Sequence, residues 1–173
     1  PTSLAPSWDF PFGTDTNGRD VFSRVLAGSR SILLIAPAAV IIGTVLGTIL
    51  GLITGYFRGV VDDVTGRLID AVLALPLIVT AILIVTAVGS SSRWVVALII
   101  GLIFAPVVSR TVRAAVLAET ELDYVQAARL RGERSPYIMF SEILPNVLSP
   151  VVVEFTVRLG YAIFAVASLT SAV

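Results

Sequence analysis

From Ser31 to Phe57 the sequence runs without a charged residue. A hydrocarbon core about 30 Å thick takes roughly 20 apolar residues of helix to cross, so this stretch reads as a membrane span. Three more follow on the same criterion, at Leu68 to Gly89, Trp94 to about Ser109 and Ile143 to Leu169. The expected fold is all-α: a transmembrane domain over residues 31–173 built as a bundle of about four helices, preceded by a segment over residues 1–30. The composition agrees, with 56% apolar residues, 14% charged residues and a mean hydropathy of +0.95. A soluble domain carries nearer a quarter charged residues.

The same composition removes several kinds of chemistry. Cysteine and histidine are both absent, which excludes disulfides, thiol chemistry, the usual haem or iron–sulfur ligation and histidine acid–base catalysis. All twelve basic residues are arginine. Without lysine the chain cannot hold a Walker A loop, whose lysine contacts the nucleotide phosphates. Formal net charge is zero, and nothing points to nucleic acid. No catalytic residue, metal site or cofactor is expected on the chain itself, and an intramembrane enzyme would need a nucleophile and base that are not found.

The chain starts at Pro1 with neither a methionine nor a signal-peptide pattern, as an excerpt or a processed product would. Residues 1–18 are rich in Pro, Gly, Ser, Thr and Asp and read as irregular backbone. From Gly18, the stretch GRDVFSRVLAGSR sets Val21, Phe22, Val25 and Leu26 on one helical face with Arg19, Asp20, Arg24 and Arg30 around it. That pattern predicts a short amphipathic helix at the membrane surface. Within the first span Gly43, Gly47, Gly51 and Gly55 recur every four residues, a stripe without side chains along which another helix can approach closely. Asp62 and Asp63 precede the second span, with Arg67 and Asp70 at its start, where carboxylates oppose the positive end of a helix dipole. Pro76 predicts a kink in that span, and Gly89 to Arg93 a tight connection. In the third span Trp94 is placed as an interfacial aromatic, Pro106 lies near the end, and Arg110 to Glu121 continues the helix outward as a polar stalk.

The longest polar interruption is DYVQAARLRGERSPYIMFSEILPNVLSP, Asp123 to Pro150. Tyr124, Val125, Ala128 and Leu130 give its first helix a mixed face, and Gly132 ends it where a residue lacking Cβ leaves a helix at low steric cost. Ser135 is then the expected N-cap, with Pro136 in the first helical position. Ala127, Ala128, Gly132 and the run Ile143-Leu144-Pro145-Asn146 resemble the EAA loop of permease subunits in binding-protein-dependent ABC importers. The segment GTDTNGRDVFSR at 13–24 is similar to one found in a permease of dipeptide, oligopeptide and nickel systems, and DxxxxRxxD followed by AxxxLP, through Pro76, also resembles the family. The resemblance implies that residues of about 121–142 form a cytoplasmic two-helix loop docking in a groove of an ATPase, with Tyr124, Gln126, Ala127, Ala128, Gly132, Leu144 and Pro145 as its coupling residues. Gln126 stands where the family usually has Glu, which removes a charge from that contact. The implied partners are a homologous second permease, two ABC ATPases binding ATP and Mg, an extracytoplasmic solute-binding protein and the lipid bilayer. Family members usually carry a further span before the GTD segment and another beyond the SLTSAV with which this chain closes.

Arginine counting bears on orientation. With residues 123–142 in the cytoplasm, that side holds Arg58, Arg67, Arg110, Arg113, Arg129, Arg131 and Arg134, against Arg19, Arg24, Arg30 and Arg93 outside, which agrees with the positive-inside rule. The implied location is a bacterial or archaeal cytoplasmic membrane. Glu154 and Arg158 are the charges deep within the last span. Lipid exposure of such groups is costly, so both should face protein or water, and their i, i+4 spacing lets them pair. A self-neutralised pair that fixes helix rotation and a pair lining a translocation path both fit. A channel-like or structural helical module would explain the spans and the glycines, but not the two-helix loop with its downstream LPN.

Overall fold

The computed structural model describes residues 4–89 and 92–172, with the backbone alone at Leu77, Ile78 and 168–172. Residues 90 and 91 of the expected Gly89–Arg93 connection, and the side chains of the closing SLTSAV, lie outside the described residues. Among the described residues the regular structure is helical, apart from one isolated antiparallel bridge between Thr14 and Asp20.

The N-terminal segment is irregular but pinned. Asp15 accepts hydrogen bonds from the backbone amides of Asn17 and Arg19, both at 2.9 Å, and pairs with Arg24 at 2.5 Å. Asp20 then caps helix α1 (Val21–Phe57) by accepting from the amides of Phe22 and Ser23. The surface helix and the first span are therefore one helix, not two. No glycine turn or proline separates the amphipathic turns from the apolar run, so the backbone ladder continues through both. At about 1.5 Å per residue, α1 is far longer than a bilayer is thick.

The second expected span differs more. It is divided into α2 (Val60–Leu73) and α3 (Leu77–Val88). Pro76 has extended backbone at φ −60° and ψ 120° and occupies the N-cap of α3, so the chain breaks there where a kink was expected. The residue before a proline is pushed away from helical geometry, and the short α3 needs no hydrogen bond from the missing N–H at its start. Helix α4 (Arg93–Glu119) is continuous through Pro106 and carries the polar stalk as its last turns.

Among the described residues three helices are long and apolar enough to cross a membrane: α1, α4 and the last helix, α8 (Leu148–Ala172). Because α2 and α3 together return the chain, α1 and α4 run parallel. The glycines set how closely. A Cβ on Gly43, Gly47, Gly51 or Gly55 would stand within 3.0 Å of Phe104, Val108, Val112 and Val116 respectively. Gly101 meets α1 from the other side, where an added Cβ would lie 2.8 Å from the carbonyl oxygen of Ala39. α8 runs antiparallel to this pair, its Ala162 and Val166 packed with Ile35, Ala39 and Ile100 in one apolar cluster. A second cluster at the opposite end joins Leu52, Val112 and Val116 to the loop that precedes α8.

Candidate functional site

At the end of the bundle where α1 and α4 terminate, three short helices lie against their tips. α5 (Asp123–Leu130) is closed by a two-bond helix-ending turn: the Gly132 amide donates to Arg129 at 3.0 Å and the Glu133 amide to Ala128 at 3.2 Å. That geometry requires a left-handed residue just past the helix, and Gly132 supplies it at φ +77°. α6 (Ser135–Tyr137) follows, with Arg134 in the N-cap position and Ser135 already helical. No side chain caps this turn, so the expected Ser135 cap is displaced by one residue. A π-helical turn (Ile138–Ile143) and α7 (Leu144–Asn146) complete the loop before α8 begins at Leu148. The last span therefore starts later than Ile143, and Glu154 and Arg158 stand roughly 9 and 15 Å along α8 at 1.5 Å per residue.

The inner face of the loop is apolar. Val125, Ala128, Ile138 and Ile143 are buried with Leu52, Val112 and Val116 from α1 and α4. Ala128 is thus part of the seat of the loop and not of its exposed face, contrary to its placement among the contact residues. The helical period explains it: three residues after Val125, Ala128 shares the buried side. Gln126, Ala127, Gly132 and Pro145 are exposed, while Tyr124 and Leu144 are half-buried. Leu130 is 89% exposed, an apolar side chain presented outward, and Gly132, Glu133, Arg134 and Tyr137 line a shallow hollow of about 370 Å³.

Polar contacts bind this end to the helices. Arg58, just past α1, donates to Thr120 Oγ1 at 2.8 Å and pairs with Glu121. The guanidinium of Arg129 lies 5.0 Å from the centre of the Tyr56 ring. The Tyr124 hydroxyl donates to Glu119 at 2.5 Å and accepts from Asn146 at 3.2 Å. Burial, reinforced by the Glu119 carboxylate, pushes the Tyr124 phenol up to about 12.

On α4, successive side chains reach two neighbours. Arg113 pairs with Asp62 and Arg110 with Asp70, both on α2, and hydrogen bonding to Arg113 holds the Asp62 carboxyl below its ordinary range. These pairs and Thr54 line a cavity of about 380 Å³. Asp62 and Asp70 thus do more than oppose a helix dipole. Their partners lie some forty to fifty residues away, and spacing along the chain carries no signal for them. Turned toward α8, Thr111 donates to Glu154 at 2.7 Å, and Arg158 Nε donates to the same carboxylate at 3.0 Å. Both charged side chains are largely buried, and Arg158 also lies 5.5 Å from the Tyr161 ring centre. Among the described residues no group of His, Cys, Asp or Glu is placed to hold a metal.

Residues 47–172 match the family of inner membrane components of binding-protein-dependent transport systems. The chain belongs to this family. As an inner membrane component it is 41% identical over 165 residues to the glutathione transport system permease protein GsiD of Salmonella paratyphi A, covering 95% of this chain and 54% of that protein. It is 38% identical over 164 residues to the dipeptide transport system permease protein DppC of Alkalihalophilus pseudofirmus, with 95% and 54% covered. A di/tripeptide transport system permease protein DppC of Pseudomonas aeruginosa is 37% identical over 170 residues, with 95% and 56% covered. The chain spans about half the length of the curated relatives it matches.

Proposed function

We propose that this chain is the core of a permease subunit in an ATP-driven importer of peptides or related small solutes. The observation that carries the reading is the loop at the α1–α4 end, a firmly seated platform whose exposed face offers Gln126, Ala127, Leu130 and Gly132 to a partner. Low side chains and one protruding leucine suit docking in a groove of an ATPase subunit, where ATP and Mg would be bound. The loop side is then cytoplasmic, which puts Arg58, Arg129, Arg131 and Arg134 on the side that favours positive charge. Two such loops, one from this chain and one from a homologous permease, would swing as the ATPases close, opening the path to an extracytoplasmic binding protein. The apolar window of α8 is only 17% buried by its own chain, against 61% for α4. The second permease would close that wall, leaving Glu154 and Arg158 beside the path.

Gly132→Asp tests the docking role in the full transporter reconstituted into vesicles. Membrane insertion should persist while dipeptide uptake is uncoupled from ATP hydrolysis. Asparagine tolerates left-handed backbone better than most residues, so Gly132→Asn separates the conformational demand from the added charge. Normal uptake by Gly132→Asp would show the docking assignment to be wrong, and failure of any ATPase to co-purify with the parent chain would favour a channel-like or structural module.

A further inference from the structure

Between the exposed tip of α5 and the start of α8 the chain has three yielding points. Gly132 has left-handed backbone, residues 138–143 form a π-helical turn, and Val147 leaves helical geometry at φ −95° and ψ 8°. A push on α5 transmitted only along the backbone would be absorbed at those points. The polar contacts take a shorter route. Glu119 is the last residue of α4, Tyr124 lies in the first turn of α5, and Asn146 ends α7. The Tyr124 hydroxyl joins all three, donating to Glu119 and accepting from Asn146, while Asn146 also donates to the carbonyl of Glu142 at 2.8 Å. Beneath them, Val125, Ile143 and Val147 are buried in one apolar cluster with Val112 and Val116 of α4. That apolar seat holds the loop down, but apolar packing is non-directional and leaves sliding less opposed than a bonded network does.

We infer that Tyr124 is a positioning residue for energy coupling, its hydroxyl clamping α5 to the end of α4 and to α7, so that a displacement of the loop bypasses Gly132 and the π-helical turn and is delivered two residues short of the start of α8. The inference rests on the docking role proposed for the loop. The linkage has a chemical requirement, a group that donates to a carboxylate and accepts from an amide at once. A tyrosine hydroxyl meets it and a phenylalanine of the same shape does not.

The test uses the full transporter in vesicles, with a radiolabelled dipeptide as probe. Tyr124→Phe keeps the ring in its seat and removes both hydrogen bonds. ATPase co-purification and ATP hydrolysis should stay near the parent level, while dipeptide moved per ATP should fall roughly tenfold, the shift that two lost hydrogen bonds can support. Glu119→Gln retains an acceptor for the Tyr124 hydroxyl and should keep most of the ratio, whereas Glu119→Leu should reproduce the loss. Spin labels replacing Asp123, at the exposed start of α5, and Val153, exposed on α8, give a readout that needs no solute: their distance distribution should be narrow in the parent and broaden in Tyr124→Phe. A parental ratio together with an unbroadened distribution in Tyr124→Phe overturns the inference and leaves the docking role standing. Absence of ATPase co-purification from the parent chain overturns both.

Discussion

One methyl group added to the α1–α4 seam should distinguish two kinds of glycine on the same helix. A Cβ on Gly47 would stand 2.6 Å from the Cβ of Val108 and 2.7 Å from the carbonyl oxygen of Ala105. Carbon atoms pack best near 3.5 to 4.0 Å, so Gly47→Ala requires the helices to part by about 1 Å. Neither neighbour can swing aside, because one is backbone and the other is fixed to it. The separation is shared along the seam, and a radial gap of roughly 0.5 to 1 Å forfeits a quarter to a half of each dispersion contact it opens. Overpacking of this kind typically costs about 1 to 3 kcal/mol. Gly28 meets nothing within 4 Å, so Gly28→Ala should gain the roughly 0.5 to 1 kcal/mol by which alanine exceeds glycine in a helix. That propensity gain is common to both variants, so they should differ by about the overpacking cost of 1 to 3 kcal/mol. Thermal unfolding of the purified chain in detergent micelles reads the difference, and Gly101→Ala should behave like Gly47→Ala from the opposite side of the seam. Equal midpoints for Gly47→Ala and Gly28→Ala would refute the backbone-contact argument.

The remaining expectations concern charge. Arg113 depresses the Asp62 carboxyl below its ordinary value of 3.8, so the unfolded chain binds this proton more readily. The stabilisation is then present above about pH 4 and is lost as pH falls through the lowered value. Asp62→Asn should flatten the acid limb of a detergent stability curve below that pH; an unchanged limb would count against the pair. For Arg158→Leu, a purely structural pair predicts lost folding and expression, since Glu154 would be left largely buried with Thr111 alone. A path-lining pair predicts intact assembly and ATPase activity with reduced dipeptide uptake, and an unchanged uptake rate in a well-assembled variant would sink the path assignment.

Much of this molecule was legible in the order of its residues because the properties concerned are local. An uncharged run as long as Ser31–Phe57 requires a helix wherever it is placed, and a glycine every fourth residue marks one face of that helix whatever covers it. Gly132 after Leu130 and Arg131 announces a helix end, since a left-handed residue there needs no Cβ to be accommodated. Glu154 and Arg158 are one helical turn apart, and their pairing needs no knowledge of the rest. What the tertiary structure decided were the questions of partner and side. Gly101, a lone glycine in its span, shows no period, and only the approach of α1 gives it a role. Asp62 and Asp70 resemble ordinary helix-start carboxylates until α4 brings Arg113 and Arg110 to them. Ala127 and Ala128 are indistinguishable as residues, yet the platform beneath α5 buries one and leaves the other outside. Pro76 is compatible with a kink or a break, and the choice depends on where α3 must lie to pack on α4. Local periodicity fixes which face a residue occupies on its own helix, while the identity of what meets that face is set by contacts between segments far apart in the chain.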